Sequence, residues 1–160
     1  MQNITITMKN IIFGIMLLIG LAGCAQFVSI PESEQKTERV FAVQGKSKLQ
    51  LFQSTNQWFA TTFHSSNNVI QLSDGDAGVI VGRAITDVDM GMGMTAPCYY
   101  TVRIEIKDEK IRFTANNYQW VDYGNSITVQ SQFDSMQENM AALSIRLESQ
   151  LKTASLSSDW

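Results

Sequence analysis

The stretch TVRIEIKDEKIRFTANN, residues 101–117, alternates apolar and polar side chains on both sides of Asp108-Glu109. A two-residue turn at that point sets Ile104 opposite Phe113, Glu105 opposite Arg112 and Ile106 opposite Ile111. Apolar pairs on one face and an opposite-charge pair on the other are what a half-buried antiparallel sheet requires. Slipping the register by one residue would turn every apolar side chain into water, so the pairing is strongly specified. The pattern predicts strands over 99–107 and 110–116. The second face carries Arg103, Glu105, Lys107, Lys110 and Arg112, which are of both signs and therefore solvated. Glu109 stands where a tight hairpin prefers Gly.

The rest of the chain supplies partners for that sheet. Arg39–Gln44 suits a first strand. Ser47 and Gln50 form an S-x-x-Q capping box, whose side chains satisfy the orphan N–H groups of a helix start. Leu49, Phe52, Phe59 and Phe63 then share a helical stripe with Leu51 and Trp58 on its flank, which predicts a helix over 47–64 stopped by Ser65–Asn68. Val69–Leu72 reads as a short strand, Ser73–Asp76 as a turn and Ala77–Ile85 as a longer strand. Gly78 and Gly82 suggest a bulge or bend there. Asp87–Pro97 reads as a Gly/Met loop. Trp120, Val121 and Tyr123 suggest an extended segment, and residues 127–129 another. Phe133, Met136, Met140, Leu143, Leu147 and Leu151 repeat at helical spacing, predicting a helix over 133–152 that Ser131, Asp134 or Ser135 would cap. The expected fold is α+β: one antiparallel, bent β-sheet with two helices on one face, in the order β-α-β-β-β-β-α.

Upstream lies a segment of another kind. Lys9 and Asn10 precede the apolar run Ile11–Ala22, which is shorter than the about 20 residues needed to cross a bilayer. A short basic start, an apolar core and small residues are the marks of an export signal. The run closes on Leu21-Ala22-Gly23-Cys24, and this tetrad resembles the lipobox of bacterial lipoproteins. The resemblance implies cleavage before Cys24 and acylation of its thiol and of the new N-terminus. Two or three acyl chains give stable attachment where one is marginal. The implied organisation is a signal peptide over 1–23, an acylated tether over 24–38, a folded domain over 39–155 and a frayed tail over 156–160. Met1 and Met8 are both possible starts. Ala25 after the Cys resembles lipoproteins sent to the outer membrane, and the lack of an acidic cluster beside Cys24 favours a periplasm-facing orientation in the cell envelope.

If Cys24 carries lipid, Cys98 has no partner in the chain. A thiol of that kind is expected to be buried and inert. The net charge of -3 argues against a general nucleic-acid binder, which needs a basic footprint.

A second resemblance covers the folded part. Asp74, Ala77, Gly78, Ile80 and Gly82 match a D-x-x-A-G-x-I-x-G stretch, and Lys107, Asp108, Lys110 and Arg112 match a K-D-G-K-[YF]-R hairpin. Both resemble a family of uncharacterised bacterial lipoproteins described as a domain of unknown function with a TBP-like fold. The resemblance implies that topology over residues 39–116 and carries no activity with it.

Catalytic chemistry is sparse. His64 is the sole histidine, so no HExxH, His/Cys zinc set or Ser-His-Asp spacing is present, and its place near a helix end suits a dipole partner or an exposed residue. No cofactor motif occurs: Gly91-Met92-Gly93 lacks the third glycine of a dinucleotide loop. Asp74, Asp76, Asp87 and Asp89 lack the order of an EF-hand and read as turn residues. The unusual feature is DMGMGMTAPC, where Met90, Met92 and Met94 alternate with glycine. Their thioethers are candidate Cu(I) ligands; the alternative is a mobile loop whose methionines pack where space allows. Trp58, Phe59, Phe113, Trp120 and Tyr123 either line a space for a small apolar ligand or fill the core. The expectation is a membrane-anchored, non-enzymatic binding or structural module that needs no cofactor. It is held to the membrane by lipid on Cys24, with an unidentified protein or small molecule as partner.

Overall fold

The computed structural model describes residues 30–63 and 69–153. The signal peptide, Cys24, His64, Ser65–Asn68 and the tail 156–160 lie outside the described residues.

Five strands form one sheet: β1 Lys36–Ala42, β2 Ile70–Asp74, β3 Val79–Gly91, β4 Met94–Lys107 and β5 Lys110–Trp120. Their spatial order is β1-β5-β4-β3-β2 and every neighbouring pair is antiparallel. Helix α1, Lys48–Thr62, lies between β1 and β2, and helix α2, Gln130–Thr153, closes the chain. Both helices cover one face, α1 against β4 and α2 across β1 and β3, and they touch each other. The expected α+β order is the one observed.

The β4–β5 hairpin has the register expected from its alternation. Ile104 pairs with Phe113, Glu105 with Arg112 and Ile106 with Ile111 around Asp108-Glu109. Glu109 takes a positive φ of 55°, which glycine would adopt more easily. Ile104, Ile106, Ile111 and Phe113 are buried, whereas Arg103, Lys107, Lys110 and Arg112 are exposed. Further along, two residues of β5, Asn117 and Tyr118, stand opposite one residue of β4, a bulge in which Asn117 has φ 56°. The bulge turns Tyr118 into the core. Its hydroxyl donates to the Ala115 carbonyl at 2.9 Å and contacts Thr37 Oγ1 at 3.1 Å.

Four expectations are corrected. First, Asp87–Pro97 is not a loop. Strands β3 and β4 run on to meet at Met92-Gly93, pairing Asp87 with Pro97, Val88 with Ala96 and Asp89 with Thr95. Proline is tolerated because β5 ends opposite Cys98, so this arm is only two strands wide. Second, the buried stripe of α1 is Leu51, Thr55, Trp58 and Phe59, and Leu49 is 64% exposed. The capping box at Ser47 and Gln50 is present as expected. Third, α2 starts at Gln130, ahead of Ser131, Asp134 and Ser135, and Phe133 N–H already bonds the Val129 carbonyl. Fourth, residues 30–38 are not a free tether. Ile30 N–H donates to the Thr128 carbonyl at 3.2 Å, and the buried Gln35 donates its amide to the carbonyls of Ile30 and Ile127. Strand β1 begins at Lys36, inside the expected tether.

Gly82 marks a close approach. A Cβ there would come within 2.6 Å of the Phe59 ring and 2.8 Å of the Val69 carbonyl oxygen. The bulge expected at this point sits on the partner strand, between Ile70 and Leu72.

Candidate functional site

The two ends of the sheet differ in chemistry. At one end the Asp108-Glu109 turn is tied to the β1–α1 connection. Glu109 N–H donates to the Lys46 carbonyl, the Glu109 carbonyl accepts from Val43 N–H, and the Glu109 carboxylate accepts from Gly45 N–H at 2.8 Å. The Asp108 carboxylate accepts from Lys48 N–H at 2.7 Å, one of the orphan donors at the start of α1. Beside this turn an open cleft of about 580 Å³ is lined by Val40, Lys48, Lys107, Lys110 and Arg112 together with Glu105 and Asp108. The Lys48 ammonium already donates to the Asp76 carbonyl. On the outer face Glu105 bridges Arg103 and Arg112 at 3.3 and 3.2 Å. Exposed ion pairs of this kind contribute about 0–1 kcal/mol each.

At the opposite end the β3–β4 arm carries the three methionines. Met92 occupies the turn with φ 56° and is 98% exposed; Met94 is 58% and Met90 41% exposed. Glycines with positive φ flank Met92 on both sides, which is how the chain reverses so tightly. The Met90 sulfur accepts from Gln132 Nε2 at 3.5 Å, and Ser135 Oγ accepts from Asp89 N–H. Asp87 and Asp89 are strand residues rather than loop residues, and Asp74 caps the turn by accepting from Ala77 N–H. Among the described residues no group of three or more His, Cys, Asp and Glu side chains converges as a metal site would require. Tyr123, 83% exposed, stands in the turn that follows β5.

The other expected residues are inside. Cys98 is fully buried on β4, and loss of hydration pushes its thiol up to about 12 although a backbone bond from Gln119 opposes the shift. A nucleophilic thiol needs the reverse. Burial likewise pushes Tyr100 and Tyr118 up to about 12. Trp58, Phe59 and Phe113 are packed in the core, with the Trp58 and Phe59 rings edge-on at 5.2 Å. Tyr123 is far more exposed than these three, so the five aromatics do not enclose a common space.

Two features escaped the sequence. Arg83 lies 4.2 Å from the centre of the Tyr99 ring and donates to Gln119, joining three strands on the outer face. The signal for it was available once β3 is paired past Ile85, since Ile85 then faces Tyr99. Glu148 of α2 accepts from Lys152 and from Arg39 of β1, and these bonds hold its carboxyl below the usual carboxylate range although burial opposes them. Nothing local in either segment reveals that pairing, which spans 109 residues.

A family described as a domain of unknown function with TBP-like fold matches residues 38–120. Two solved structures share the fold. A TBP-like protein from Parabacteroides distasonis aligns over 79% of this chain and 98% of its own, with TM-score 0.61 and 12% identity. A DUF4468 family protein from Bacteroides ovatus aligns over 76% and 90%, with TM-score 0.59 and 10% identity. No curated protein matches the sequence.

Proposed function

The chain belongs to DUF4468, the family of domains of unknown function with a TBP-like fold, and on that premise we propose that it is a lipoprotein of the bacterial envelope, anchored by acyl chains on Cys24. The folded domain then acts as a non-enzymatic binding or structural module at the membrane surface, with the outer membrane facing the periplasm as its place. The observation that carries this reading is Leu21-Ala22-Gly23-Cys24 at the close of a short apolar run behind Lys9. The tetrad puts one thiol where a signal peptide would be cut, and apolar acyl chains on it supply a membrane affinity that the run itself is too short to give. A non-enzymatic role is supported by the state of Cys98, which is buried and held protonated rather than poised for attack.

Growth of an expressing bacterium with radiolabelled palmitate tests the anchor. Label is expected on the wild-type product and absent from Cys24→Ala. Intact mass should correspond to a chain beginning at Cys24 with added acyl groups. An unlabelled product that retains residues 1–23 would refute the reading.

A further inference from the structure

The free edges of the sheet are finished in different ways. Strand β2 is five residues long, and a bulge between Ile70 and Leu72 breaks its pairing. Where β3 runs on past β2, helix α2 covers its edge. Asn139 Nδ2 donates to the Asp87 carbonyl at 3.2 Å, and the Asp89 N–H donates to Ser135 Oγ at 3.3 Å. Strand β1 has neither device. It pairs with β5 over seven residues without a register shift, and Val43 just beyond it donates its N–H to the Glu109 carbonyl. Bonded positions alternate along an antiparallel strand, so Thr37, Arg39 and Phe41 also bond β5. Glu38, Val40 and Ala42 then turn their N–H and C=O groups outward, and none of the described residues bonds them there. A regular, uncovered edge is a template for another strand.

The side chains along β1 select what that strand is. In an antiparallel two-fold pairing about Val40, this residue, 45% exposed in the single chain, meets its own copy. The partner's Glu38 then stands opposite Ala42, and the partner's Lys36 opposite Gln44. Lys110 is beside Ala42 on β5, and an open cleft joins Ala42 and Gln44 to Asp108, Glu109 and Lys110. Two strand spacings, roughly 10 Å, separate the partner's Glu38 from Lys110, so the two long side chains meet over the methyl group of Ala42. The partner's Lys36 comes to Asp108 and Glu109 in the same way. On the helix side Arg39 is set opposite the partner's Phe41, the pair of side chains that already lie 5.3 Å apart within one chain.

Neighbouring registers lack this match. A two-fold about Glu38 opposes that carboxylate to itself. One about Arg39 sets two guanidinium groups face to face and brings Lys36 to Lys110. One about Phe41 puts Lys36 against Lys46 and Glu38 beside Asp108. Like charges directly opposite destabilise a sheet.

We propose that two copies of this chain join β1 to β1 about Val40, so that their five-stranded sheets become one continuous antiparallel sheet with the helices of both on one face. The partner is thus a second copy of the same protein, and the pairing does not depend on acylation of Cys24.

Native mass spectrometry of the full chain released from detergent micelles tests the pairing and reads any acyl mass in the same spectrum. A dimer is expected. Val40→Lys places like charges opposite one another at the centre of the joint and should weaken the dimer at least about tenfold. Glu38→Lys alone and Lys110→Glu alone should each weaken it, and the two changes together should restore it. That rescue separates a lost contact from a damaged fold. A wild-type chain that stays monomeric at tens of micromolar overturns the proposal, as does a dimer that Val40→Lys leaves intact. A double variant no tighter than either single one overturns the register. A dimer without acyl mass would leave the pairing standing and refute the lipid anchor, whereas an acylated monomer would do the reverse.

Discussion

The two hairpins of this sheet have similar tight turns and opposite surroundings. The Asp108-Glu109 turn is bonded into the β1–α1 connection through Val43, Gly45, Lys46 and Lys48. The Met92-Gly93 turn ends a two-stranded arm with a nearly fully exposed apolar side chain at its tip. A turn satisfied by its neighbours contributes to the fold. A turn that leaves apolar surface in water contributes little to stability. The contrast between a bonded turn and an exposed one can be broken by experiment.

The largest effect is expected beneath the structural hairpin. Phe113→Ala removes a fully buried ring opposite Ile104 and should destabilise the domain by about 3–5 kcal/mol, read from urea unfolding. Next comes alkaline titration. Cys98, Tyr100 and Tyr118 are held neutral in the folded state up to about 12, above their ordinary values of 9.0 and 10.0. The folded chain therefore binds these protons more tightly than the unfolded one. Stability should be flat below that window and fall as pH rises through it. Tyr118→Phe should reduce the slope there by up to about 1.4 kcal/mol per pH unit.

The smallest effects compare the turns directly. Asp108→Ala leaves the Lys48 N–H without its carboxylate and should cost about 1 kcal/mol of stability, visible as a lowered Tm. Met92→Ser should change stability by no more than about 0.5 kcal/mol. Equal losses at the two turns would remove the distinction.

Much of this architecture was legible because its signals are local. Alternation in β4 and β5 determined the register, since one slip would expose Ile104, Ile106, Ile111 and Phe113 together. The capping box was legible because its two residues are three apart. The arm was hidden because its apolar positions are small or flexible: Val88 between two aspartates was the strand signal, and Gly91-Met92-Gly93 disguised it. The candidate site was legible only as a peculiar composition. Exposure of Met92 and the position of Tyr123 at the same end depend on where β3, β4 and β5 finish, which no single segment encodes.

The sequence alone determined the antiparallel pairing, the order of the elements and the acyl-acceptor expectation at Cys24, because each depends on residues close together in the chain. Tertiary structure alone decided which side of α1 is buried, where Glu148 finds Arg39, and that residues 30–38 lie against the domain. Those outcomes depend on surfaces brought together across tens of residues, where the free energy of packing rather than local periodicity selects among the alternatives.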